Sequence, residues 1–206
     1  MRSYLLLPLA LGSLLIACMS LPAQANITSW ECANDGDGAI DCNASWDSNT
    51  YELTIEGNQF SSPGHMVGSF TTDSELDPNV KVTNSVDNDT TFTWTDYHIN
   101  LYMNKTFTLS SVQAVDPNDW TYNVVQPLGT PSAIYDAHGN PWSYVGTVNF
   151  YAGTPVPNDD STLTFSYKMS FLGSIAFEQE MIPTPEPATL TLLALGGLAL
   201  MRRRRA

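Results

Sequence analysis

The chain has 206 residues with 21 acidic and only eight basic side chains, a formal charge of −13, and five of the basic residues sit near its ends: Arg2, Arg202, Arg203, Arg204 and Arg205. Between Asn26 and Pro187, three lysines (Lys81, Lys105, Lys168) stand against all 21 acidic residues, a formal −18. Such a charge excludes nucleic acid and anionic lipid surfaces as partners, because phosphate binding needs clustered Lys and Arg; a P-loop or kinase-like site is excluded by the absence of their motifs.

Arg2, the apolar run from Leu5 to Ile16 and the small-residue site Ala23-Gln24-Ala25 follow the order of a secretory signal peptide. The run is short for a membrane span. Residues 1–25 therefore read as a signal peptide with an N-terminal signal helix, handled by the secretion machinery and cut after Ala25, with Asn26 the first mature residue. Leu15-Ile16-Ala17-Cys18 also has the residue types of a bacterial lipobox, in which Cys18 is acylated. Either route exports the rest of the chain.

Cys32 and Cys42 are the two cysteines left in the mature chain, an even pair in a disulfide-permissive setting. Turn residues lie between them, so the simplest expectation is a hairpin closed by a Cys32–Cys42 disulfide; two free thiols are the alternative. The intervening Asn34-Asp35-Gly36-Asp37-Gly38-Ala39-Ile40-Asp41 resembles the middle of an EF-hand or dockerin calcium loop, with Asp35, Asp37 and Asp41 at the third, fifth and ninth ligand positions. Ala33 and Ala44 fall where the first and twelfth ligands belong, which leaves a weak calcium site or a solvated acidic turn, and otherwise no cofactor.

From Tyr51 onward the apolar period is two. Tyr51, Leu53 and Ile55 alternate with polar neighbours, and so do Leu163, Phe165, Tyr167, Met169 and Phe171; no helix buries such a pattern on one side. Turn clusters at Asp77-Pro78-Asn79, Asp87-Asn88-Asp89, Asp116-Pro117-Asn118-Asp119, His138-Gly139-Asn140-Pro141 and Pro155-Val156-Pro157-Asn158 separate the runs. About nine or ten strands with no amphipathic helix predict an all-β fold, an antiparallel β-sandwich over residues 26–182.

Within it, the apolar phase slips between Thr95 and Tyr97, which predicts a β-bulge or a tight bend and puts Asp96, His98 and Asn100 on one polar face. This face is a metal or ligand site, or a surface hydrogen-bonding group. His65, His98 and His138 are scattered, and neither a His-Glu-x-x-His nor a nucleophile elbow occurs, so no catalytic residue is assigned and no enzymatic activity is expected. The five tryptophans (Trp30, Trp46, Trp94, Trp120, Trp142) are core residues by default, with stacking on sugars as the functional alternative.

The C-terminus carries Thr184-Pro185-Glu186-Pro187, an apolar stretch to Met201 and then Arg202 to Arg205. This resembles the PEP-CTERM sorting signal: a Pro-Glu-Pro motif, a short hydrophobic helix and a basic cluster in the right order. Residues 188–201 as a helix span about 21 Å at ~1.5 Å per residue, against a hydrocarbon core of about 30 Å. That length suits a temporary stop, with the arginines on the cytoplasmic side. The resemblance implies that residues 183–206 form a sorting signal, that an exosortase-type membrane protease recognises Pro185, Glu186 and Pro187, and that the domain reaches the cell surface or extracellular matrix. A structural or adhesive β-sandwich is the leading expectation. A module that binds extracellular polysaccharide is the alternative, and a secreted hydrolase the third.

Overall fold

In a computed structural model describing residues 24–136 and 138–185, side chains 130–132 excepted, eleven strands build two stacked sheets. They are β1 (Ile27–Asn34), β2 (Ile40–Asp47), β3 (Glu52–Gln59), β4 (Gly64–Thr72), β5 (Asn79–Asn88), β6 (Trp94–Met103), β7 (Phe107–Asp116), β8 (Thr121–Tyr135), β9 (Pro141–Val156), β10 (Thr162–Phe171) and β11 (Ile175–Pro185). The six-stranded sheet has the order β1-β4-β11-β6-β9-β8, and the five-stranded sheet β2-β3-β5-β10-β7.

The period-two runs do what their alternation predicts. Leu163, Phe165, Tyr167, Met169 and Phe171 are all buried in the interlayer core with Leu53, Ile55, Phe70, Tyr97, Ile99 and Phe150. The phase slip in β6 is a bulge: the register with β9 shifts between Trp94 and Asp96. The extra residue returns Trp94 and Tyr97 to the same side, and both are fully buried. A polar network threads the core as well. Tyr97 donates to Gln59 Oε1 at 2.7 Å, Tyr167 donates to Gln179 Oε1 at 2.5 Å, and Gln179 Nε2 donates to Asn84 Oδ1 at 2.8 Å.

Two sequence expectations need correction. The sandwich is not wholly antiparallel, because β3 and β5 pair in parallel; the chain leaves β3, runs through β4 in the other sheet and returns in the same direction. Nor do β1 and β2 form a hairpin. β1 pairs with β4 and β2 with β3, in opposite sheets, so the Asp-Gly segment is an arch between layers. Short-range turn chemistry is the same for both arrangements, and only long-range pairing decides between them.

Cys32 stands opposite Gly68 on β4 and Cys42 opposite Gly57 on β3. Both are free thiols in this structure, so the expected disulfide is not seen. Burial, and then the neighbouring Cys42 sulfur, pushes the Cys32 thiol up to about 12; burial, and then Asp41, pushes Cys42 up to about 11. The expected signal helix and C-terminal hydrophobic helix lie outside the described residues. Among the described residues, no helix is long and apolar enough to cross a membrane.

Candidate functional site

The outer face of the six-stranded sheet carries a polar row across four strands. His65 on β4 is the register partner of Glu180 on β11, Glu180 of Asn100 on β6, and Asn100 of Thr147 on β9. Each alternates with core residues such as Met66, Met181, Ile99 and Val148, so all four side chains point away from the core. Thr147 Oγ1 donates to Asn100 Oδ1 at 2.9 Å, and Asn100 Nδ2 donates to Glu180 Oε2 at 2.8 Å. Tyr102 OH donates to the same oxygen at 3.0 Å. His65 Nε2 stands 3.5 Å from Glu180 Oε1.

An outer sheet face is normally wet, yet His65, Glu178 and Glu180 are buried. Two loops cover them. In the arch between β1 and β2, Asp35 Oδ1 accepts the Asp37 N–H at 3.0 Å and Asp37 Oδ1 accepts the Ala39 N–H at 2.7 Å. Gly36 and Gly38 take φ of +85° and +80°, which a side chain at those positions would resist. The alternating Asp-Gly sequence thus makes two successive side-chain-capped turns. Each Asp spends Oδ1 on the backbone and leaves Oδ2 for the interior. The Oδ2 atoms of Asp35 and Asp37 lie 3.7 and 3.8 Å from His65 Nδ1.

The second loop joins β8 to β9. Asp136 Oδ1 accepts the N–H groups of His138 and Asn140, at 2.9 and 2.8 Å, and its Oδ2 accepts the Trp142 indole N–H at 2.8 Å. This cage sets the His138 ring 4.2 Å from the His65 ring, with Nδ1 3.4 Å from Asp35 Oδ2 and Nε2 4.0 Å from Asp37 Oδ2. One ligand atom each from Asp35, Asp37, His65 and His138 lie within 4.8 Å of one another, and the same holds for Asp136, His138 and Glu178. Those two groups could hold a metal ion.

The electrostatics are one-sided. Five carboxylates meet two imidazoles, while Lys81 pairs with Glu52 and Lys105 with Glu75 elsewhere. Burial first, then the neighbouring Asp136 carboxylate, pushes Glu178 up to about 8. Burial also opposes the charge on Asp136, but the Trp142 and Asn140 donors and the Glu178 carboxyl beside it outweigh it and hold Asp136 below the usual carboxylate range. For His65, burial opposes protonation and is outweighed by Glu180, Glu178 and Asp35, so its pKa is raised. The His65 imidazole facing it, and then the hydrogen bonds from Asn100 and Tyr102, lower that of Glu180 against the effect of burial.

The sequence-derived residues divide accordingly. Asp35 and Asp37 enter the cluster; Asp41 does not, since it lies on β2 opposite Asn58 and is exposed. Asp35 and Asp37 thus stand with two imidazoles in place of Asp41; imidazoles are ligands of transition metals, whereas calcium takes oxygens. His98 Nδ1 is 2.8 Å from Asn149 Oδ1, and with Asp96 and Tyr151 it borders an open depression. All five tryptophans are buried or half-buried. Pro185 ends β11 opposite Trp94, and Ala25 is fully buried. Ala23, Glu186, Pro187 and Arg202 to Arg205 lie outside the described residues. His65, His138, Asp136, Glu178 and Glu180 were not singled out from sequence. The usable signal was weak: a histidine inside the apolar segment Gly64-His65-Met66-Val67, and two glutamates interleaved with the core residues Phe177, Gln179 and Met181.

Fold and sequence together define an all-β, two-layer protein whose last strand runs into a C-terminal signal. Residues 183–205 match the PEP-CTERM protein-sorting motif, and the chain carries that motif, the mark of an exported protein with a membrane-anchored sorting signal. No curated protein matches the chain. A similar solved structure is that of TmCBM61 in complex with β-1,4-galactotriose, at 10% identity over 78% of this chain and 91% of that one; its TM-score of 0.27 is too low to carry an argument.

Proposed function

We propose that the protein is a non-catalytic surface or matrix component, exported through its N-terminal signal and released from a transient membrane anchor by an exosortase-type protease acting at Pro185-Glu186-Pro187. The sorting-motif match at residues 183–205 carries this reading. Support comes from the exposed Pro185 at the end of β11 and from an acidic domain that stays soluble and self-repelling outside the cell. The delivered domain serves a structural or adhesive role. Glu186→Ala and Pro185→Ala, expressed in the native host and followed by cell fractionation, test it: both variants are expected to stay in the membrane fraction while the wild type leaves it. Equal release of wild type and variants overturns the reading.

The second reading, polysaccharide binding, has one observation behind it. The open depression brings the half-exposed Tyr151 beside Asp96, His98, Asn123 and Asn149, an aromatic face with hydrogen-bonding groups around it. Binding of acidic or neutral glycans that is lost in Tyr151→Ala would favour it; equal binding by the two proteins, or none, removes it.

A further inference from the structure

We propose that Asp35, Asp37, His65 and His138 form a binding site for a divalent first-row transition ion, zinc foremost, that clamps the two loops onto the outer face of the six-stranded sheet. Four ligands about 2.1 Å from an ion stand about 3.4 Å apart on the edges of a tetrahedron. His65 Nδ1 stands 3.7 and 3.8 Å from the Oδ2 atoms of Asp35 and Asp37, His138 Nδ1 stands 3.4 Å from Asp35 Oδ2, and one ligand atom from each of the four lies within 4.8 Å of the others. These gaps are too long for direct hydrogen bonds and of the size an ion would span.

A buried side chain aimed into the cluster supports this independently. His65 is 1% exposed, and neither ring nitrogen has a hydrogen-bond partner among the described residues. Buried polar groups are almost always satisfied, so this unpartnered imidazole calls for a ligand. The outer groups are also those that metal-bound imidazoles use. Glu180 faces His65 Nε2 and is itself held by Asn100 and Tyr102, which turns Nδ1 toward Asp35 and Asp37. Asp136 adds negative charge beside His138 without occupying the same position. Two imidazoles with two carboxylates suit zinc and its neighbours in the first row; calcium takes six to eight oxygens. With four protein ligands the site is closed, as structural sites are.

The test uses the full-length chain purified in detergent, stripped with a chelator and titrated calorimetrically with Zn2+ and, separately, with Ca2+. One zinc per chain is expected, binding at least tenfold more tightly than calcium. His138→Ala and Asp37→Asn alter side chains that are 39% and 35% exposed, so both variants should fold, with near-UV circular dichroism as the check. Each should weaken zinc at least tenfold, whereas His98→Ala, at the third histidine, leaves it unchanged. Zinc bound no more tightly than calcium, or bound equally by folded His138→Ala and wild type, overturns the proposal.

Discussion

Glu180 and His65 are register partners on neighbouring strands, and the carboxylate sits 3.5 Å from the imidazole on a sheet face where both are buried beneath two loops. Its other oxygen takes donors from both Asn100 and Tyr102. One side chain thus takes two donors from β6 on one side and faces the His65 ring on β4 on the other.

Glu180→Ala should therefore destabilise the domain by about 2 kcal/mol, because it leaves the buried Tyr102 hydroxyl and the half-buried Asn100 amide without their acceptor. Glu180→Gln keeps one accepting oxygen and should cost about half as much. Urea unfolding measures both. A loss below about 1 kcal/mol for the alanine variant would mean that water reaches the face.

The interlayer network makes a second prediction. Tyr97→Phe preserves the ring packing against Trp94 and Phe165 but removes the only hydroxyl that donates to Gln59 Oε1 among the described residues. The expected cost is about 1–3 kcal/mol, the penalty of a buried acceptor left without a donor. No change in the urea midpoint would contradict it.

Export chemistry gives the third. The Asn26 backbone nitrogen donates to Asp73 Oδ1 at 2.9 Å, its side-chain amide donates to Oδ2 at 2.7 Å, and Tyr51 OH donates to Asn26 Oδ1 at 3.0 Å. The bonds from Asn26, the side-chain one first, hold Asp73 below the usual carboxylate range. Cleavage after Ala25 turns that nitrogen into an α-ammonium facing a carboxylate, which favours its charged form. NMR titration of the mature protein should show the terminal amine losing its proton at higher pH than in Asp73→Asn. Identical titrations would contradict the cleavage position or this contact.

The thiols give the fourth. Cys32 and Cys42 belong to opposite sheets at one end of the sandwich, and each is raised well above the ordinary thiol range. In the reduced, folded protein they should resist alkylation at neutral pH, because the thiolate is the reactive form. Oxidation during export should join them into an inter-sheet bridge, worth about 2–4 kcal/mol. A mature protein lighter by two hydrogen atoms and free of alkylatable thiol is the expected mass-spectrometric result; two free thiols in the exported protein would contradict it.

The strands were legible because a core on one side and water on the other write a period of two into the chain, and β10 shows it without interruption. The bulge in β6 was legible for the same reason: an extra residue shifts the phase of Trp94 against Tyr97. The parallel β3–β5 pair was not, since it depends on which sheet the intervening β4 joins. The metal-ligand set was half legible. Asp35 and Asp37 announced themselves through their spacing with glycine, but the motif they resembled predicts Asp41 as the next ligand. The actual partners, His65 and His138, come from a different strand and a distant loop. Glu178 and Glu180 alternate with core residues and read as ordinary solvent-facing positions, because nothing in their own segment says that two loops from elsewhere will cover them.

Delivery of this acidic sandwich beyond the membrane through two signals that are then removed can be read from the intact mass of the protein isolated from its native host. The expected species begins at Asn26 and lacks Arg202 to Arg205; a mature species that retains those arginines would overturn the proposed sorting.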